Sequence, residues 1–390
     1  MTEAADRSEG NEPQACAVLV IGGGIAGLSL ASELAAGHGA DVVLVEAEPT
    51  LGYHTSSRSA RQLIPSYGPP VVQDLTLRTL ALIRAAEADL PAPILTPRSF
   101  LLIGDEEAVR DRASTHMHPV MPAQALGLAP ELRAGSFSAA GLDTTSVACN
   151  TDALLEYHRA RLTAAGGRIV TGRRIDAARR AGAPGGQGGK DAVQWLVSAQ
   201  EARFTAPIVV NAAGAWADGV AGLFGARGLG LTPYRRTAAV VDVDRPLDPG
   251  APMVADAQDR FYYRPEGRQV LISPSESEPS VPEDARPREA DVQALIDLVN
   301  SVTSMGITGV SRAWTGLRTE APDGVPVVGW DPEVAGLFWL AGQGGYGFQT
   351  SSGIAELAAG LLLGTAGEGS GQKAGQNGTA EALSPGRRGL

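Results

Sequence analysis

At 390 residues, 44% of them hydrophobic, the chain is long enough to bury a substantial core and to form two domains or one domain with a large insertion. Its two cysteines, Cys16 and Cys149, lack CxxC spacing and exclude a disulfide framework, which fits a reducing compartment and a cytoplasmic location. The net charge of −11, from 32 Lys plus Arg against 43 Asp plus Glu, argues against nucleic acid as a partner, and no apolar run reaches the length of a transmembrane segment.

Residues 1–14 are acidic and polar, without the apolar run of a signal peptide, and read as flexible. Residues 17–21 (AVLVI) read as a buried strand, 25–37 as a helix rich in Ala, Leu and Ser, and 41–46 (DVVLVE) as a second strand, together one βαβ unit. A polar stretch then holds Ser and Thr placed to cap a short helix, ahead of an Ala/Leu-rich helix at 71–87 and a strand at 94–104. Asn150 or Thr151 caps a helix that ends near Gly166, and "GRIVTGRRI" follows as a strand returning to the parallel sheet. The segment 181–190 (AGAPGGQGGK) reads as a loop between two strands, and 206–214 (APIVVNAAG) as a buried strand entering a glycine turn. Residues 232–273 alternate apolar and polar as an antiparallel sheet does. A helix at 289–304, a strand at 337–341 and a glycine turn feeding a last helix follow, and the Gly/Ser/Ala-rich tail reads as flexible.

The implied fold is α/β: a discontinuous Rossmann-like domain at 15–90, 145–222 and 322–365, and an α+β domain on a mostly antiparallel sheet at 91–144 and 223–321. Residues 1–14 and 366–390 are left as flexible termini.

Gly22, Gly24 and Gly27 carry GxGxxG spacing between the first strand and helix. The first glycine permits a tight turn, the second lets backbone approach a pyrophosphate, and the third lets the helix pack close to the strand. Ile25 and Ala26, at the helix start, present free N–H groups and positive dipole to phosphate. Glu46, at the end of the next strand, is placed to bind a ribose diol. NAD and FAD share this ADP half. The chain leaves the βαβ unit early and returns twice, and its last glycine turn and helix could face the N1/O2 edge of a flavin, which favours FAD.

Taken together, "VIGGGIAG", "GYHTSSRSA" ahead of "YG", "VVNAAGAWAD", "FYYRP", "WTGLRTEAPDGVPVVG" and "GQGGYGFQTS" resemble the FAD-dependent D-amino acid dehydrogenase and oxidase superfamily, most closely its D-arginine dehydrogenase type. The resemblance covers nearly the whole chain. It implies noncovalent FAD and oxidation of a Cα–N bond by hydride transfer from Cα to flavin N5, the imine then hydrolysing to a 2-oxo acid and ammonia. It places Ser59, Ala60, Ile175, Ala213, Gly214, Gly344, Tyr346, Gly347 and Thr350 at the cofactor. Arg318 matches the carboxylate-clamping arginine, whose planar fork suits bidentate recognition. Tyr67 and Tyr262 match tyrosines that border the substrate, and Arg235 a second substrate-side arginine. Only one of Arg235 and Arg236 can face inward from a strand. Gly345 and Gln349 fall where substrate and flavin meet, with the Gly345 carbonyl facing the substrate ammonium.

Three departures shape the substrate expectation. Gln62 stands where the resemblance implies an active-site histidine, Ile64 where it implies a hydroxyl, and Phe100 where an acid would select cationic side chains. A buried guanidinium without that acid is costly. A neutral or apolar D-amino acid is therefore expected, in a pocket lined by Ile64, Phe100, Met253 and Ala255, with pH dependence set by the substrate amine. An N-methyl amine or imino acid such as sarcosine or proline, or a 2-hydroxy acid, is the alternative, and a flavin scaffold without turnover the third reading. The electron acceptor stays open between oxygen, a quinone and a dye. The five histidines form no ligand set with Cys or acid, so no metal is expected.

Overall fold

The computed structural model describes residues 12–112, 114–181, 194–365 and 373–390. The strand Val18–Ile21 lies inside a six-stranded sheet, in the order 168–170, 42–45, 18–21, 208–211, 337–341, 327–330. All neighbours are parallel except the last pair. The runs VLVI, VVLV and LFWLA have every residue buried, as strands covered on both faces require. On one face Val20, Leu44 and Phe338 meet Leu28, Leu30 and Ala358 of the helices Ile25–Ser32 and Gly347–Leu363. On the other, Leu19, Val43 and Trp339 meet Trp195, Val197 and Phe204 of a four-stranded sheet. Each fully buried Val, Leu or Phe among them contributes about 1.5–3 kcal/mol.

The second sheet has nine strands and carries the pocket. Its pairings are antiparallel except that Met253–Asp256 runs parallel to Phe100–Gly104. Alternation sorts its faces. Leu101, Val254, Tyr263, Ile272 and Val241 pack under Val292, Leu295, Ile296 and Val299, a stripe at helical spacing on Glu289–Val302. Phe100, Leu102, Met253, Tyr262 and Ala238 face the other way and cluster together. The expected α/β class with a mostly antiparallel second sheet is what the chain adopts.

Local differences have physical reasons. The expected helix 25–37 is α-helical over Ile25–Ser32 and continues as a π-helical turn, Glu33–Gly37, before Gly39 turns the chain at φ +67°. The expected strand 94–104 is two strands in different sheets, Leu95–Pro97 and Phe100–Gly104, because Pro97 has no N–H to extend the first ladder. The tail, expected flexible from 366, is ordered from 373 onward: Lys373–Leu383 is helical and Leu383 is fully buried. Arg387 pairs with Asp323 at 2.7 and 2.8 Å and donates to the Val325 carbonyl at 2.7 Å. Two anchors in a Gly/Ser/Ala-rich sequence thus outweigh its composition. Residues 1–11, 366–372 and most of the loop at 181–190 lie outside the described residues.

Candidate functional site

A cavity of about 340 Å³ opens at the carboxyl ends of strands 18–21, 42–45 and 208–211. Gly22 has φ +108°, and a β-carbon there would stand 2.4 Å from the Ala212 carbonyl oxygen. At Gly27 a β-carbon would stand 2.0 Å from the Gly22 oxygen, so helix and turn touch through backbone alone. Gly24, Ile25 and Ala26 line the cavity at the helix start. Ser56, from the 3₁₀ turn Thr55–Arg58, accepts from the Ile25 N–H at 2.9 Å, supplying the cap that Gly24 cannot. Glu46 faces the cavity and accepts from Gly23 N at 2.6 Å and Glu48 N at 2.8 Å, which fixes its carboxylate. Ile175, Ala213 and Gly214 complete the wall.

A second cavity of about 570 Å³ continues from the first, sharing Ile25, Thr55, Ser56, Gly344 and Gly347. It meets the apolar face of the large sheet through Phe100, Leu102, Met253 and Ala255, with Ile64 beside them. Tyr67, Tyr262, Arg318, Gly345, Tyr346, Gln349, Gln62, Ser59 and Ala60 also line it.

Arg318 lies on Gly345: a β-carbon there would stand 3.0 Å from Nη1, 3.1 Å from Cζ and 3.3 Å from Nε. Burial works against its charge, but the phenol oxygens of Tyr67 and Tyr262 and a hydrogen bond to Tyr67 leave the guanidinium above its ordinary range. Register settles which arginine joins it. Tyr234 stands opposite Arg318 and Gly316 opposite Arg236, so Arg236 is the diagonal neighbour of Arg318 on one face of the sheet. Arg236 lines the cavity, its Nε donating to the Glu276 carbonyl at 2.7 Å and Nη2 to Ser277 Oγ at 3.1 Å. Burial and the charge of Arg318 lower its pKa. Arg235, expected at the substrate, faces away instead: it donates to the Arg286 carbonyl at 2.6 Å and approaches Glu283 at 3.6 Å.

Gln62 donates through Nε2 to the Arg98 carbonyl at 2.9 Å and to Ser146 Oγ at 2.8 Å. Both donors are thereby used, and Oε1 is left buried without a partner. Gln349 positions its surroundings, donating to the Tyr67 carbonyl at 3.2 Å and Thr76 Oγ1 at 3.1 Å. Tyr67 stacks at a tilt on Tyr346, ring centres 5.3 Å apart. Among the other expected site residues, Gly27 serves packing, and Thr350 is fully buried with Oγ1 donating to the Tyr346 carbonyl at 2.8 Å; neither lines either of these two cavities. Of the acids lining the second cavity, Asp259 pairs with Arg112 and Asp256 with Arg260, while Asp111 is exposed.

Sequence reasoning missed Ser56, Thr55 and Arg58. Thr55 Oγ1 donates to the Leu317 carbonyl at 2.8 Å and Arg58 Nη1 to the Thr315 carbonyl at 2.7 Å, fastening the 3₁₀ turn to the strand that carries Arg318. The density of hydroxyls in "HTSSR" was the available signal. It also missed His54, Thr319 and Gln343, which line the first cavity. Each carries a buried polar atom without a hydrogen-bond partner: His54 Nδ1, Thr319 Oγ1 and Gln343 Nε2.

Three orphaned polar atoms, a glycine turn without room for β-carbons, a fixed acid and a continuation toward two arginines fit a dinucleotide whose far end meets a carboxylate ligand. The family model described as FAD dependent oxidoreductase matches residues 17–361. The chain is similar to L-proline dehydrogenase from P. horikoshii, with 18% identity over 96% of this chain and 98% of that one, at a TM-score of 0.78. Glycine oxidase from Geobacillus kaustophilus is 21% identical over 90% and 95%, at 0.74. L-α-Glycerophosphate oxidase from Mycoplasma pneumoniae, in a structure with FAD bound, is 18% identical over 90% and 95%, at 0.78. At these identities the likeness is one of fold.

Proposed function

The chain belongs to the FAD dependent oxidoreductase family and is FAD-dependent, and from that premise we propose that it oxidatively deaminates a neutral or apolar D-amino acid. The observation that carries this reading is the pairing, in one cavity, of the Arg318–Arg236 face with the apolar row Ile64, Phe100, Leu102, Met253 and Ala255. A carboxylate is held by the guanidiniums, with Tyr67 and Tyr262 in reach as further donors. Its side chain then lies on the apolar row. The Gly345 carbonyl is the acceptor assigned to the amine. No group that titrates near neutrality stands at position 62, so the substrate reacts as the neutral amine and sheds its proton to solvent. FAD supplies the two-electron acceptor for the Cα hydride; water then adds to the imine, releasing ammonia and the 2-oxo acid.

The names of similar structures, L-proline dehydrogenase and glycine oxidase, support amine oxidation. The D configuration comes from the sequence resemblance. A secondary amine or a 2-hydroxy acid also presents a carboxylate to Arg318 and is the alternative substrate. We assign the dinucleotide domain to 15–90, 145–222 and 322–365, the substrate domain to 91–144 and 223–321, and the protein to the cytoplasm. Among the described residues no helix is long and apolar enough to cross a membrane.

The test is anaerobic mixing of yellow holoenzyme with D- and L-amino acids, sarcosine, proline and 2-hydroxy acids. Fastest bleaching by D-Met, D-Leu or D-Phe is the expected result. Faster bleaching by D-Arg, an L-amino acid, a secondary amine or a hydroxy acid refutes the assignment, and admission of air then separates oxidase from dehydrogenase.

A further inference from the structure

The apolar row of the second cavity runs out to Met117, and Met117 rests on a glycine. Gly141 sits in the strand Ala139–Asp143 opposite Leu102, which in turn lies opposite Ala255, so all three share the cavity face of the sheet. A β-carbon on Gly141 would stand 2.7 Å from Met117 Sδ and 2.9 Å from Cγ. Gly141 has none of the positive-φ geometry that demands glycine elsewhere in the chain. Its missing side chain is space, and Met117 fills it.

We propose that Met117, seated on Gly141, sets the length of substrate side chain that the pocket admits. This rests on the amino acid reading above and deepens it. Met117 is 8% exposed and clusters with Phe100, Leu102 and Met253, the wall on which that side chain lies. Its backbone is fixed by a hydrogen bond from Met117 N to the Ser114 carbonyl at 3.1 Å and by the strand His118–Val120 that follows. The side chain is therefore what can move. An unbranched thioether repacks at low cost, so the wall accommodates flexible apolar chains. With the sheet behind it, a thioether displaced by a new methyl at position 141 moves off the sheet toward the cavity it lines. Adding Cβ there shortens the pocket; trimming Met117 lengthens it.

The experiment compares wild-type holoenzyme with Gly141→Ala, Met117→Ala and the double variant. One readout is kcat/KM for D-Ala, D-Met and D-Phe. The other is binding of acetate, butyrate, hexanoate and 4-phenylbutyrate, followed by perturbation of the flavin spectrum. Gly141→Ala is expected to lower kcat/KM for D-Met and D-Phe about tenfold relative to D-Ala, the scale at which pockets discriminate a misfitting methyl or methylene. It should weaken the longer carboxylates alike, with the double variant restoring both. Ratios within twofold of wild type in folded Gly141→Ala, or no restoration in the double variant, overturn the proposal. If Gly141→Ala does not fold, Met117→Ala decides: stronger binding of the longest carboxylates supports the proposal and unchanged length dependence refutes it. Should no amino acid bleach the flavin while carboxylates still respond to these substitutions by length, the amino acid reading fails and the role of Met117 stands. Bleaching with unaltered length dependence has the opposite meaning. Neither bleaching nor carboxylate binding overturns both.

Discussion

Arg318→Lys keeps a positive charge at the carboxylate position and removes the planar fork. The guanidinium lies against Gly345 with Nη1 3.0 Å and Nε 3.3 Å from the β-carbon position, so its plane is set by backbone contact. A lysine ammonium is a single point where the arginine presents two donors to one carboxylate, so the substitution forfeits at least one charge-assisted hydrogen bond. Such a bond contributes about 1.5–3 kcal/mol, which corresponds to about 10- to 150-fold in kcat/KM. Its loss also lets the Cα turn away from the acceptor, so part of the effect falls on the reduction rate. The assay is anaerobic stopped-flow reduction with D-Met over a range of concentrations, giving the Kd and the limiting rate separately. Retention of both within threefold of wild type would falsify the clamp.

Three further outcomes follow from named contacts. Wild type is expected to lack a limb near pH 6–7, the ordinary histidine range, in its kcat profile, and Gln62→His to introduce one; the pH dependence of flavin reduction in both checks it. Arg236→Met should raise KM for the substrate tenfold or more, whereas Arg235→Met, losing its bond to the Arg286 carbonyl, should lower Tm and leave KM within threefold; steady-state kinetics beside thermal melts distinguish the two. Burial and the nearby Arg161 push the His158 imidazole down to about 3, and both ring nitrogens lack partners. The unfolded chain takes up a proton below about pH 6.5 that the folded protein refuses, so stability falls as pH drops toward 3, by about 1.4 kcal/mol per unit. His158→Leu should remove about 2–3 kcal/mol of the stability lost between pH 7 and 4.5, read from denaturant midpoints at the two values.

What the sequence disclosed is what short-range pattern encodes. The run AVLVIGGGIAG names its strand, its turn and its helix, because apolar continuity and the glycine spacing are local. Arg318, Tyr67 and Tyr262, which line the second cavity, could be singled out because their motifs survive in linear order, whereas Ile64 and Phe100 stood out as departures from that pattern. Arg235 was misplaced because the choice between neighbours depends on pairing with Ile307–Glu320, eighty residues away, and a one-residue slip exchanges the two faces. Ser56 as cap of a helix 31 residues earlier, and Met117 on Gly141, are through-space facts with no periodicity to announce them. Leu383 and Arg387 were read as part of a flexible terminus because two specific contacts do not register in an average over a glycine-rich tail.

The order of strands in the parallel sheet has a consequence for synthesis. Val18–Ile21 gains its neighbour Val42–Val45 early, but its other edge waits for Ile208–Asn211, roughly 190 residues later. At about 5–20 residues per second, that edge emerges from the ribosome some 10–40 s after the first. During that interval a wholly apolar strand offers unpaired amides to any passing chain. Nascent protein should therefore depend on chaperones until its middle third appears, and cofactor capture is a late event. Expressing the N-terminal half alone should yield insoluble material rather than a small nucleotide-binding fragment.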